Sequence, residues 1–290
     1  TGPCTVAAED CVFTGNSATE EGGAIRNTAT ALIECQLSGN TSGQIAGAVW
    51  ALLGTVSECV LANNTSRYGG GLFITHTVTV RNTVFLANSA TATTSYAGGG
   101  IYGSVADLDI LNCTFSGNSA PNSLAGGGAF YGEQSTAAFT NCILWGDTGA
   151  GLSSEIAMDL ASSVTATYSD IQGGYPGTGN IGSDFVLHNP AFTAPGSGDL
   201  SLQKTSPCLD TASPAGVPPA PSTDILGVAR PQHLGVDMGA YEFDKPIADF
   251  DALPIAGYVP LSVQFTDTSS AGAAPITAWS WDFGDLGTDI

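Results

Sequence analysis

The sequence predicts an all-β chain whose main body is a right-handed parallel β-helix, a solenoid of short stacked strands. Two motifs recur in step through its first half, and short β-branched runs are punctuated by Gly, Asn and Ser. No stretch keeps a capped 3.6-residue apolar period, which argues against helix as the main element. With 43 % hydrophobic and 11 % charged residues in 290, the chain should fold rather than stay disordered.

The first motif begins at Cys11, Cys35, Cys59, Thr83, Cys113 and Cys142 and reads, in its first copy, Cys-Val-Phe-Thr-Gly-Asn; the steps are 24, 24, 24, 30 and 29 residues. The second is read at Gly23-Ala-Ile25, Gly47-Ala-Val49, Gly71-Leu-Phe73, Gly100-Ile-Tyr102 and Gly128-Ala-Phe130, with steps of 24, 24, 29 and 28. The surplus in the longer steps falls at 90–96 and 120–124, two loops expected to bulge from one corner, where repeat proteins often carry their function. A period near 24 fits one β-helix coil, with strands paired about 4.8 Å above and below. Leucine-rich repeats share the period, but their L-x-x-L-x-L frame and helical return do not appear.

The register assigns roles. Phe13, Leu37, Leu61, Phe85, Phe115 and Leu144 should stack inward and supply most of the core. The glycine series should mark corners that a side chain would obstruct. Asn16, Asn40, Asn64, Asn88 and Asn118 share one turn position, where stacked amides can bond along the axis. Asp147 replaces Asn in the next coil, putting the continuation of the ladder in question. Cys11, Cys35, Cys59, Cys113 and Cys142 form another column, with Thr83 between. One coil rise exceeds the roughly 3.8 Å that a disulfide prefers between Cβ atoms, so these thiols are expected to remain free and act as small hydrophobes. A straight ladder cannot offer a metal a tetrahedron. Cys4 and Cys208 fall outside the column, with no partner assigned.

Charge narrows the function. With 26 acidic and 6 basic residues, net −20, nucleic acid and anionic membrane surfaces are poor partners. No apolar run reaches membrane-spanning length, and no charged-then-apolar start reads as a signal peptide. No cofactor is expected; Ca²⁺ is the cation such a surface would collect.

Gly22-Gly-Ala-Ile25 with Phe13-Thr-Gly-Asn16 resembles the repeats of polymorphic outer-membrane (autotransporter) proteins over roughly residues 1–150, although no translocator barrel is visible. Ser206-Pro-Cys-Leu-Asp210, Asp224-Ile-Leu-Gly227, Arg230-Pro231 and Gly235-Val-Asp-Met-Gly-Ala-Tyr-Glu242 resemble the choice-of-anchor Q domain that closes β-helices in bacterial and archaeal surface proteins. Asn180-Ile-Gly-Ser-Asp184, Asn189-Pro-Ala-Phe192 and Gly198-Asp-Leu-Ser-Leu202 fit its lead-in. Residues 246–290, with Trp281-Asp-Phe-Gly-Asp285, resemble the start of a PKD domain, an immunoglobulin-like sandwich. These resemblances imply coils over 1–165, terminal coils and cap over 166–244, a partial sandwich over 245–290, and an extracellular or cell-surface location. The Pro-rich 214–221 loop and Ala240-Tyr241 are expected to cover the open coil end. Asp210, Asp224, Asp237 and Arg230 are read as a hydrogen-bonded ion-pair network, with a catalytic or Ca²⁺ cluster as the alternative.

A polysaccharide lyase or glycoside hydrolase is the competing function. Arg26, Arg67, Arg81, Lys204, Arg230 and Lys245 form no cluster by spacing, and Asp107 and Asp109 have no carboxylate in the matching place of adjacent coils. His76, His188 and His233 bear no spacing relation. The expectation is therefore a structural or adhesive rod that binds cell-surface glycan or itself, end to end or by strand donation. Aromatics in the insertion loops, such as Tyr96, would suit sugar. Sequons at Asn40, Asn63, Asn64 and Asn112 permit glycans.

Overall fold

The computed structural model describes residues 5–123, 125–150, 155–213, 220–244, 246–271, 275–282 and 288–289. Expectations that fall on Cys4, Leu124, Lys245, 214–219 and 283–285 lie outside the described residues. Strands stack in parallel, each paired with its counterpart one coil before and one coil after. One sheet is built from Val12–Thr14, Gln36–Ser38, Val60–Ala62, Val84–Leu86, Thr114–Ser116, Ile143–Trp145 and Asp170–Ile171, and we call it the short sheet. The long sheet starts at Thr5–Glu9 and has nine-residue strands at Ile25–Ile33 and Val49–Ser57. It then divides in each coil into a leading and a trailing half: Leu72–Ile74 and Thr77–Arg81, Ile101–Ser104 and Asp107–Leu111, Phe130–Glu133 and Thr136–Thr140, Ile156–Met158 and Ser163–Thr167. A narrow third sheet joins Ser17–Ala18, Thr41–Ser42, Thr65–Ser66 and Ser89–Ala90. The stack makes about six turns.

The short-sheet register places Phe13, Leu37, Leu61, Phe85, Phe115 and Leu144 in one column that ends on Ile171. Phe85 and Phe115 stack at 4.5 Å. This column does not supply most of the core. Ile25, Val49, Leu72, Ile101, Phe130 and Ile156 line the interior from the leading half of the long sheet, and Leu32, Val56, Val80, Ile110 and Phe139 from the trailing half. Each buried side chain of this size contributes roughly 1.5–3 kcal/mol, so the columns share the load.

The glycine series is out by one residue in two coils. Leu72 pairs with Val49 and Ile101, so the matching corners are Gly70 and Gly99 rather than Gly71 and Gly100. A Cβ on Gly47 would lie 2.2 Å from the Gly70 carbonyl, and one on Gly70 would lie 2.3 Å from that of Gly99. Crowding by the next coil is what demands glycine at these corners. The consequence is large, because a one-residue slip turns every side chain of a strand to the other face. Phe73 and Tyr102 therefore point outward, beside Trp50 and Tyr131.

The segment expected to cap the coil end lies instead along the side. Val84, Ile143 and Trp145, on the outward face of the short sheet, pack with Phe192, Leu200, Leu202, Cys208, Met238 and Ala240. Gly239 N donates to Asn141 O at 2.7 Å, Ala240 N to Thr114 Oγ1 at 2.9 Å, and Ser213 N to Asn141 Oδ1 at 2.8 Å. Asn82 and Asn112 reach out in the same way, donating to the carbonyls of Thr223 and Asp237. The physical reason is the apolar outward row, which is left open by Val12 in the first coil and has to be covered where it becomes Val84 and Ile143. The coil end is closed by a smaller turn. Ile181 bridges Asp170, Asn180 Nδ2 donates to Ala166 O and Tyr175 O, and Tyr175 packs against the core.

Farther along, Phe250–Leu253 pairs antiparallel with Gln264–Asp267, and Trp281–Asp282 with Thr288–Asp289. The Phe250, Phe265 and Trp281 rings meet at 5.6–6.0 Å.

Candidate functional site

Two ladders run inside the stack and set its register. Asn16, Asn40, Asn64 and Asn88 each donate Nδ2–H to Oδ1 of the next Asn, all at 2.9 Å, and the same oxygen also accepts the backbone N–H. From Asn40 onward the second Nδ2 proton goes to a carbonyl of the preceding coil: Phe13, Leu37, Leu61 and Phe85. Every polar group of these buried amides is thus satisfied, which turns a costly burial into a fixed registration. The ladder continues as far as Asp147, its last rung, whose Oδ1 accepts from Asn118 Nδ2 at 2.8 Å and from Asn118 N. Beyond it sits Glu155, also buried, and Oδ2 of Asp147 and Oε2 of Glu155 have no hydrogen-bond partner among the described residues. Burial pushes both carboxyls up, and the neighbouring charge of Asp147 raises Glu155 further, to about 11, so the pair holds a proton at neutral pH.

The described cysteines are free; those of the column pack in the apolar core and also form a hydrogen-bonded spine. Each thiol of Cys11, Cys35, Cys59, Cys113 and Cys142 donates to the carbonyl two residues earlier, at 3.1–3.3 Å. The hydroxyls of Thr83 and Ser169 do the same at 2.8 and 3.0 Å. The thiol of Cys59 also accepts Cys35 N–H, Thr83 Oγ1 accepts Cys59 N–H, and Ser169 Oγ accepts Cys142 N–H. The residue before each column member, from Asp10 to Tyr168, has a left-handed φ of 45–55°. The spine fastens a tight corner.

The acids of the side-docked segment also have structural partners. Arg230 and Glu242 form an ion pair at 2.8 Å with both side chains 1 % exposed, and the guanidinium also donates to the carbonyls of Asp237 and Gly239. Asp224 accepts from the backbone of Leu226, Val228 and Glu242, Asp237 from Asp210 and Phe243, and Asp210 from Gly235. These carboxylates organise turns. No group of three or more metal-ligating side chains converges among the described residues. Asp107 and Asp109 face Thr136 and Ala138 in the next coil, and the exposed His76 lies next to Thr77, the register partner of Asp107, with its carbonyl accepting Asp107 N–H at 3.0 Å. Of the sequons, Asn40, Asn64 and Asn112 are fully buried, leaving Asn63 as the exposed acceptor.

A concave feature on the outward face of the leading half is aromatic. Trp50, Phe73, Tyr102 and Tyr131 line up on the outward face of the leading half, with Phe73 stacked on Tyr102 at 4.9 Å and Arg26 over Trp50 at 5.0 Å. The insertion at 90–96 folds back over them. Its base is tied down by Thr91 N to Ser66 O, Ala92 N to Arg67 O and an alanine cluster against Tyr68, and its tip lays Tyr96 on Tyr131 at 5.2 Å. A groove of about 410 Å³ results, lined by Ile45, Tyr68, Phe73, Tyr102, residues 94–96 and Glu133. One Glu133 oxygen accepts from Tyr102 Oη at 3.1 Å and Ser104 Oγ at 3.0 Å. The Tyr131 hydroxyl is buried without a hydrogen-bond partner among the described residues. Burial and the neighbouring Tyr96, Asp159 and Glu133 raise its pKa, so it stays a neutral donor. Sequence reasoning singled out Tyr96 but missed the column beneath it; the signal was an aromatic immediately after each inward residue Val49, Leu72, Ile101 and Phe130.

Residues 10–28 and 112–133 match the Chlamydia polymorphic membrane protein repeat. The two stretches contain parts of the Asn ladder, the Cys spine and the leading half of the long sheet. No curated protein and no solved structure shows a significant match.

Proposed function

We propose that the chain is the rod of a surface-exposed, outer-membrane-type protein whose role is adhesive rather than enzymatic. The match to the Chlamydia polymorphic membrane protein repeat supports the surface setting. The observation that carries adhesion is the 90–96 loop, folded over an outward aromatic column to shape a groove on the flank of a stiff stack. A lyase or hydrolase is disfavoured because the acids of the docked segment are engaged with backbone N–H groups and Asp107 and Asp109 face no partner carboxylate. The convergence of Asp210, Asp224, Arg230, Asp237 and Glu242 on one network supports a choice-of-anchor Q-like seal of the β-helix. The aromatic contacts of Phe250, Phe265 and Trp281 favour a PKD-like continuation. End-to-end assembly has less in its favour, since Tyr175 and Asn180 close the last coil.

The test is attachment of beads coated with the chain to cell surfaces. Tyr96→Ala should lower attachment at least tenfold with an unchanged melting temperature. Attachment that survives this change, or new reducing ends released from polysaccharide, would defeat the adhesive reading.

A further inference from the structure

We infer that the groove under the 90–96 loop binds an uncharged pyranose unit of a glycan chain, which deepens the adhesive reading and rests on it. A sugar ring presents a C–H face and a rim of hydroxyls, and it needs a site that is mostly aromatic with a few fixed polar groups. The groove meets both needs. Ile45, Tyr68, Phe73 and Tyr96 offer apolar surface, and Tyr96, at 39 % exposure, has ring area left after stacking on Tyr131. The polar groups are few and held in place. Glu133 uses one carboxylate oxygen on Tyr102 and Ser104, and its other oxygen has no hydrogen bond to the described residues. That oxygen can take a sugar hydroxyl in a charge-assisted bond. Thr94 and Ser95 supply hydroxyls at the rim.

Charge selects within the class of sugars. Among the described residues, Glu133 is the one carboxylate lining the groove, and no Lys or Arg lines it. The guanidinium of Arg67 sits 5.2 Å over the lining Tyr68 and donates to Gln44. A uronate or sialate would bring its carboxylate against Glu133 on a chain of net charge −20, and this repulsion disfavours acidic glycans. A neutral hexose or N-acylhexosamine meets no such barrier.

The experiment titrates the full chain by calorimetry with cello-, malto- and chito-oligosaccharides, with oligogalacturonate as the acidic probe. At least one neutral series should bind, and oligogalacturonate should bind at least tenfold more weakly. Tyr96→Ala should weaken the neutral ligand at least tenfold, and Glu133→Gln, which keeps an acceptor for Tyr102, should narrow the gap between neutral and acidic probes. Equal or tighter binding of oligogalacturonate to the unmodified chain overturns the ligand class and leaves the adhesive site standing. Absence of binding across all the probes, with attachment still lost in Tyr96→Ala, overturns a sugar as the ligand. Sugar binding lost in Tyr96→Ala while attachment persists sinks the adhesive reading and leaves this one intact.

Discussion

The short sheet and the leading half of the long sheet enclose the same core, yet their outward faces are treated in opposite ways. Over the short sheet, Val84, Ile143 and Trp145 are sealed by the chain's own 192–243 segment, held by a buried ion pair and by Asn side chains at the coil corners. Over the leading half, Trp50, Phe73, Tyr102 and Tyr131 cover one another, and a single seven-residue loop leaves a groove open beside them. The lesson is that a parallel coil stack fixes what lies inside by repetition, whereas its flanks are free to diverge into seal or site.

Four substitutions sharpen that contrast. The largest effect is expected at the seal. Arg230→Ala strands Glu242 in a buried setting and should cost about 3–5 kcal/mol, read by urea unfolding. Hydrogen exchange should then rise in the short sheet and leave the aromatic flank unchanged; a uniform rise would mean that the two faces are not independent. Next comes the interior that both faces share. Asn88→Ala removes the acceptor of Asn64 N and Nδ2 and a donor to Asn118, and should cost about 2–3 kcal/mol with loss of exchange protection on both sides of that coil.

A gain of about 1 kcal/mol at neutral pH is expected for Asp147→Asn, which gives Glu155 an N–H partner in place of a second carboxyl. The sign follows from proton binding. Glu155 sits at 4.5 when free and at about 11 in the folded chain, so above about pH 4.5 the native state holds more protons than the unfolded one and stability falls as pH rises. Melting temperature followed over about two pH units on either side of neutral should vary less with pH in the variant. The smallest change is Cys113→Ser, at about 1 kcal/mol or less, because Thr83 and Ser169 already occupy the column with hydroxyls in the same bond. A collapse of folding would show that the thiols fill volume a hydroxyl cannot.

Most of the interior was legible in the sequence. The Asn and Cys positions recur at a fixed spacing because each must meet its copy one coil away, and such mutual demand leaves a period. The flanks left weaker traces. Gly69–Gly71 and Gly98–Gly100 are triplets, so more than one glycine can be aligned with Gly47, and the repeat period alone does not pick Gly70 and Gly99. The lateral docking was hidden because its partners are 125 or more residues apart in the case of Asn112 with Asp237 and Gly239. Its mark is a change at the coil corners, from Asp10, Glu34 and Glu58 to Asn82 and Asn112, whose side chains donate to carbonyls of the docked segment, and Asn141, whose Oδ1 accepts Ser213 N–H. Glu155 carries no repeat signal, since it answers a single residue.

The amide ladder has a direction. Every rung gives its proton toward the C-terminus and takes one from the N-terminal side, so an interior rung has to be both donor and acceptor, and an acid fits only at the last place, where receiving suffices. A 24-residue coil is therefore a unit of inheritance that can be copied into the row anywhere before Asp147 and read correctly by its neighbours. Tandem duplication could lengthen the rod in steps of one coil, about 4.8 Å each, and reach would then be set by copy number instead of by new invention.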